Sequence, residues 1–202
     1  MNQENGVTRV PQQAPAIQDQ TAEFRARLEN FCARLDCSPP PDAIDQTPDK
    51  KAITMVISHV EMTLDELFFG LWSTENFKWS VIANEVVGSL DLVVTHPVTG
   101  RDLRRVGAAC VQITVDKVPD EIYKDPKLRN EWALNPSNKK SNALDLTFPK
   151  LRAECLKNAA ACYGKAFGRD LNRKITAQNK VKLKTKADKA LSAAKDALNG
   201  TK

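Results

Sequence analysis

Three lysines, Lys150, Lys157 and Lys165, stand seven and eight residues apart. On a helix such spacing returns each side chain to one face every two turns. At the usual rise it sets the cations roughly 10 to 12 Å apart, a spacing that could follow a nucleic-acid backbone with each contact adding salt-dependent affinity. Arg169, Arg173 and Lys174 extend the series. A second group, Arg101, Arg104 and Arg105, follows Gly100. A guanidinium grips phosphate with two hydrogen bonds, so two or three near a turn make a better anion site than as many lysines. Each group has a purely structural alternative: a solvated helix face for the lysines, and ion pairs with Asp102 and Glu85 across a sheet for the arginines.

Other chemistries lack residues to carry them. The chain has no GxxxxGK[ST], GxGxxG, HExxH or GxSxG motif, so phosphate cradles, zinc helices and nucleophile elbows have no candidate. Its five cysteines, Cys32, Cys37, Cys110, Cys155 and Cys162, include no CxxC pair, and three fall in apolar runs where Cys acts as a small hydrophobe. With only His59 and His96 besides, neither a disulfide nor a metal site is expected. The acid pairs Asp65-Glu66 and Asp120-Glu121 read as solvated charges rather than a general acid and base. No catalytic residue is assigned, no cofactor is expected, and a non-enzymatic protein is implied. Trp72, Phe77, Trp79 and Tyr163 could stack on bases, but at helix or strand spacing such aromatics read as core.

The net charge of +5 is unevenly spread, since residues 165–202 hold 11 Lys and Arg against three Asp. The asymmetry suits a polyanionic partner or a solubilising tail. No run approaches the roughly 18 apolar residues of a membrane span, and the first residues lack the apolar segment of a signal peptide. A cytoplasmic, nucleoid-associated protein with no membrane partner is expected.

The elements that must position these cations follow from hydrophobic period. Residues 1–20, rich in Gln, Asn and Pro, are expected to be a disordered tail. Thr21 can cap a helix ending by Asp36, with Phe24, Leu28, Phe31 and Leu35 as its stripe, and residues 38–51, with four prolines, read as a linker. Ile53 to His59 is strand-like, and Val60 to Trp72 helical. Three strand-like runs follow, Lys78 to Val87, Ser89 to Thr95 and Arg101 to Val115, the first two split by Gly88 and the last two by residues 96–100. Residues 117–142 read as a long loop with short helical pieces. The clearest helix spans about Phe148 to Leu171, with Phe148, Leu151, Cys155, Ala159, Tyr163 and Phe167 on the core face and Pro149 in the first turn. The expected fold is α+β: an antiparallel β-β-β meander packed on a long α-helix, with flexible N-terminal and basic C-terminal tails. The domain reading is helix and linker over 21–51, core over 52–172, and a partly helical basic tail over 173–202.

This order, with several local motifs, resembles the Rad-fifty-two family of single-strand annealing proteins and its phage Sak-type relatives. Gly70 with Trp79-Ser80-Val81 is similar to the family's Gly-x-x-x-Trp-Ser-x-Ile entry into the first strand, with a longer gap here. Gly100-Arg101 and Val106-Gly107 resemble its hairpin and third strand. Ala153 to Gly168, containing Leu156-Lys157 and Cys162-Tyr163-Gly164-Lys165-Ala166-Phe167-Gly168, is similar to its helix ending in Phe-Gly-x-x-Leu-Gly, the most specific of these matches. The resemblance covers about residues 52–171. It implies side-by-side assembly into a homo-oligomeric ring or filament, with single-stranded DNA in a basic groove and annealing that needs no ATP, in recombination and repair. Lys157 falls on the first of two adjacent basic groove residues. The second falls on Asn158 and a further helix Arg on Ala161, which leaves Lys150, Lys165 and Arg169 as candidate substitutes.

Two other readings stand beside this one. An adaptor or loading protein would bind a single-strand-binding protein or a recombinase through the basic tail. A nuclease would carry magnesium on carboxylates.

Overall fold

The computed structural model describes residues 17–47 and 50–173, the side chains from Thr21 onward. Helix α1 (Ile17–Leu35) begins four residues before Thr21, inside the stretch expected to be disordered, so Thr21 lies within the helix rather than at its cap. The rest of that expected tail, residues 1–16, and Lys174 with the basic tail beyond it lie outside the described residues.

The proline-rich stretch is more than a linker. Strand β1 (Ile44–Gln46) pairs antiparallel with β2 (Ile53–Met55), Ile44 opposite Met55. Helix α2 (Ile57–Phe68) starts within the run expected to be extended, and buries Val60, Leu64, Leu67 and Phe68 along one stripe. Phe69 (φ 55°) and Gly70 (φ 70°) then take successive left-handed conformations that turn the chain into the sheet.

The sheet has the order β3 (Trp72–Ile82), β4 (Glu85–Thr95), β5 (Asp102–Gln112), antiparallel throughout. Its first strand starts six residues before Lys78, and its first hairpin lies at Ala83-Asn84, not at Gly88. The polar run Ser73-Thr74-Glu75-Asn76 hides the start: a bulge between Glu75 and Lys78 puts Asn76 at φ 51°, and its amide donates to Asp91 at 2.9 Å. The hairpin has no glycine because Asn84 is buried, donating from Nδ2 to the Ile113 carbonyl (3.2 Å) while the Ile113 N–H donates back to the Asn84 carbonyl (2.9 Å).

Helix α3 (Asp120–Tyr123) and helix α4 (Pro126–Leu134) are the short helical pieces expected in the long loop. Asp125 caps α4, its side chain accepting from the Lys127 N–H at 2.8 Å.

Helix α5 (Ala143–Ala161) covers one face of the sheet. It starts five residues before Phe148 and stops ten before Leu171. Pro149 is therefore inside the helix, and the preceding turns are held by buried Ala143 and Thr147. The helix ends where Gly164 must pass close to α1: a Cβ there would lie 2.4 Å from the Leu35 carbonyl oxygen. A 3-10 turn, Lys165–Phe167, keeps Phe167 buried.

Strand alternation puts Val86, Leu90, Leu92 and Val94 beneath the helix, where Leu151, Cys155 and Ala159 meet them. Gly88 and Gly107 let the helix approach. A Cβ on Gly107 would sit 2.0 Å from the Cys155 carbonyl oxygen, and one on Gly88 would sit 2.9 Å from Leu151 Cδ2. Two contacts tie the helix to sheet backbone: Cys155 Sγ donates to the Gly88 carbonyl at 3.3 Å, and Asn158 Nδ2 to that of Ala108 at 2.8 Å. The architecture is α+β, a three-stranded antiparallel sheet packed on α5. The described chain up to Leu171 forms one compact unit, to which Asn172 and Arg173 do not belong. No helix among the described residues is long and apolar enough to cross a membrane.

Candidate nucleic-acid interface

The cations named from the sequence do not form one stripe. Lys150 and Lys157 share a face of α5, seven residues or roughly 10 Å apart along the axis. Lys165 lies beyond the helix end, in the 3-10 turn, and Arg169 lies further still. Arg169 instead folds back, its guanidinium donating to the carbonyls of Ala161 (3.1 Å) and Cys162. These are orphan acceptors at the negative end of the α5 dipole, so a cation is favoured there. Arg173 lies outside the compact unit that ends at Leu171.

Neighbouring arginines of β5 face opposite sides of the sheet. Arg105 lies on the helix side, 5.5 Å over the Tyr163 ring, with one N–H donating to the Arg104 carbonyl at 3.0 Å. Arg104 lies on the open side and bridges Asp91 (2.6 Å) and Glu75 (2.7 Å). The ion-pair alternative for Arg104 therefore holds with different partners: Asp102 accepts from Thr95, and Glu85 from Cys110. The Asn76 amide first, and then the Arg104 guanidinium, hold the Asp91 carboxyl below its ordinary range, while Asp91 and Glu75 push Arg104 up. Arg101 is exposed where β5 begins, its carbonyl accepting from the His96 N–H at 2.8 Å.

Around the C-terminal end of α5 the structure gathers Arg105, Lys157, Lys165 and Arg169. The short strand β2 packs against this end: Lys157 Nζ donates to Thr54 Oγ1 at 3.0 Å, and Met55 reaches the Gly168 backbone. Lys157 also pairs with Glu154 at 2.5 Å, and Lys165 with Asp36 at 2.7 Å and Asp170 at 4.0 Å. Lys150 and Arg101 are exposed and make no ion pair among the described residues.

Tyr163 ties this end to the sheet, its hydroxyl lying 2.8 Å from the Leu103 carbonyl and 3.3 Å from that of Leu92. Burial pushes its phenol up to about 12. A raised folded-state value means that the neutral phenol's contribution is complete below the ordinary value of about 10 and is lost as pH rises through about 12. Tyr163→Phe should therefore cost about 1 kcal/mol at neutral pH, the usual worth of such a hydrogen bond. Its deficit against the wild type should shrink between about pH 10 and pH 12. Urea denaturation of both proteins at neutral and alkaline pH measures this, and a constant deficit would contradict it.

The aromatic residues divide. Trp72 is half-buried and donates from Nε1 to Asp65 at 2.7 Å. Trp79, by contrast, is 54% exposed on β3, with its ring edge-on to Phe148 at 4.6 Å. With Lys78, Ser80 and Ala109 it lines an open depression of about 550 Å³. Sequence reasoning assigned Trp79 to the core, whereas the structure leaves its ring exposed. The signal was its place on an edge strand, which nothing in its local period reveals.

All five cysteines are free, and of them only Cys155, on the core face of α5, is buried. Neither a protein-family model nor a curated protein matches the sequence.

Proposed function

We propose that this protein binds single-stranded DNA and anneals complementary strands without ATP, as a homo-oligomer whose subunits stand side by side. The observation that carries the reading is one β-β-β-α unit that carries cations at the C-terminal end of its helix and an exposed aromatic, Trp79, on the edge strand against Phe148 near the helix's other end. Backbone-directed cations and a stacking surface bind a strand without reading its sequence, as annealing of any complement requires.

Assembly is supported by the sheet itself. Both outer strands are 11 residues long, and each leaves one edge without a partner strand among the described residues. Phe77, Val81 and Ile82 are exposed on β3, and Val106 on β5. Long edges with exposed apolar residues invite pairing, and β3 of one copy can pair with β5 of the next. The chemistry requires no catalytic residue, cofactor or metal: the work is charge neutralisation and presentation of bases. The resemblance to Rad-fifty-two and Sak-type proteins supports the same reading through Lys157 and the Tyr163 to Gly168 segment.

Light scattering on the purified full chain tests the assembly. A mass several times 22.4 kDa is expected. A monomer that still anneals would overturn side-by-side action.

A further inference from the structure

We infer that the Glu154 carboxylate occupies the position a strand phosphate takes at Lys157, and that this acid sets the affinity and salt response of strand binding. The inference rests on the nucleic-acid reading above. Lys157 is only 13% exposed, and its ammonium has two partners, the Thr54 hydroxyl at 3.0 Å and Glu154 at 2.5 Å. Thr54 belongs to a paired strand and is fixed. Glu154, 34% exposed, sits on a flexible side chain, so it is the group a phosphate can displace.

The same arrangement recurs at Lys165, 23% exposed between Asp36 and Asp170. Lys150 and Arg101, exposed and without an ion pair among the described residues, present their charge directly. The cations thus fall into two kinds: open ones that attract the strand, and shielded ones that hold it only after a carboxylate gives way.

Exchange of this kind has a thermodynamic signature. A phosphate that meets an open lysine releases condensed counterions, and each such contact steepens the salt dependence by about 0.7 on a log–log plot for single strands. A phosphate that displaces Glu154 releases a tethered anion in the protein as well, which offsets the gain. Removing the Glu154 charge makes Lys157 an open cation and removes a like charge facing the strand.

Fluorescence anisotropy of the full chain with a labelled oligo(dT), between about 50 and 200 mM salt, tests this directly. Glu154→Gln and Glu154→Ala are compared with Glu131→Gln, which makes the same charge change on exposed α4. Thermal melts confirm that each variant is folded. Both Glu154 variants should bind roughly two- to fivefold more tightly than Glu131→Gln, the effect of releasing a partly exposed pair, and with a steeper salt slope. If they bind no better than Glu131→Gln while the wild type binds well, the exchange is overturned and the nucleic-acid reading stands. No binding by any of these proteins at the lowest salt overturns both.

Discussion

Gly107→Ala is expected to destabilise the core by about 3 kcal/mol or more, a large share of the roughly 5 to 15 kcal/mol that holds a domain folded. The added Cβ would lie 2.0 Å from the Cys155 carbonyl oxygen, 2.6 Å from the Ala159 nitrogen and 2.9 Å from the Ala159 Cβ. Two of these are backbone atoms inside α5, so no rotamer change relieves the clash. The helix must lift from β5, and that opens the contacts of Leu151 and Cys155 with the sheet. Gly100→Ala is the internal control. Nothing lies within 4 Å of its Cβ, and the penalty there is only the left-handed backbone at φ 66°, about 1 to 2 kcal/mol. Urea titration of the two variants ranks them. A Gly107→Ala protein as stable as Gly100→Ala would mean that α5 does not rest on β5 as described.

The second large effect concerns the strand. Replacing Lys157 and Lys165 together by Gln should weaken binding of single strands by at least about tenfold at moderate salt, each lost charge-assisted contact being worth about 1 kcal/mol or more. Glutamine keeps a donor for Thr54, so the packing of β2 on the helix survives. Glu154 then loses the lysine it pairs with and faces the strand as a repulsive charge. Assembly should be unaffected, because neither lysine lies on the β3 or β5 edge. Anisotropy with light scattering on the same samples separates the two properties. Unchanged affinity in a folded, assembled double variant would remove the end of α5 from the binding surface.

The order of elements was legible because its signals are local. The stripe Leu151, Cys155 and Ala159 has the helical period and is buried as expected, and Leu90, Leu92 and Val94 of β4 alternate as a half-buried strand does. Boundaries failed where a residue serves the tertiary fold instead of its neighbours. Gly88 looks like a turn residue but makes room for Leu151, and the true turn, Ala83-Asn84, is fixed by a buried amide bonded to the Ile113 carbonyl, just past the end of β5 and 29 residues away in sequence. Pro149 looks like a helix start, yet six helical residues precede it.

The site was misread for a related reason. Spacings of seven and eight residues define a stripe only while the helix lasts, and α5 ends at Ala161, before Lys165. Separation of Arg104 from Arg105 was readable, since adjacent strand residues always face opposite ways. So was the pairing of Lys157 with Glu154 at i and i−3. The Thr54 contact, 103 residues away in the chain, was not.

The most direct measurement mixes the purified protein with two complementary labelled oligonucleotides, without ATP and across a salt series, and follows duplex formation by fluorescence transfer. Acceleration over the spontaneous rate that fades as salt rises is the expected result. Tight binding of each strand with no acceleration at any salt would contradict annealing and leave a passive coat or a loading adaptor in its place.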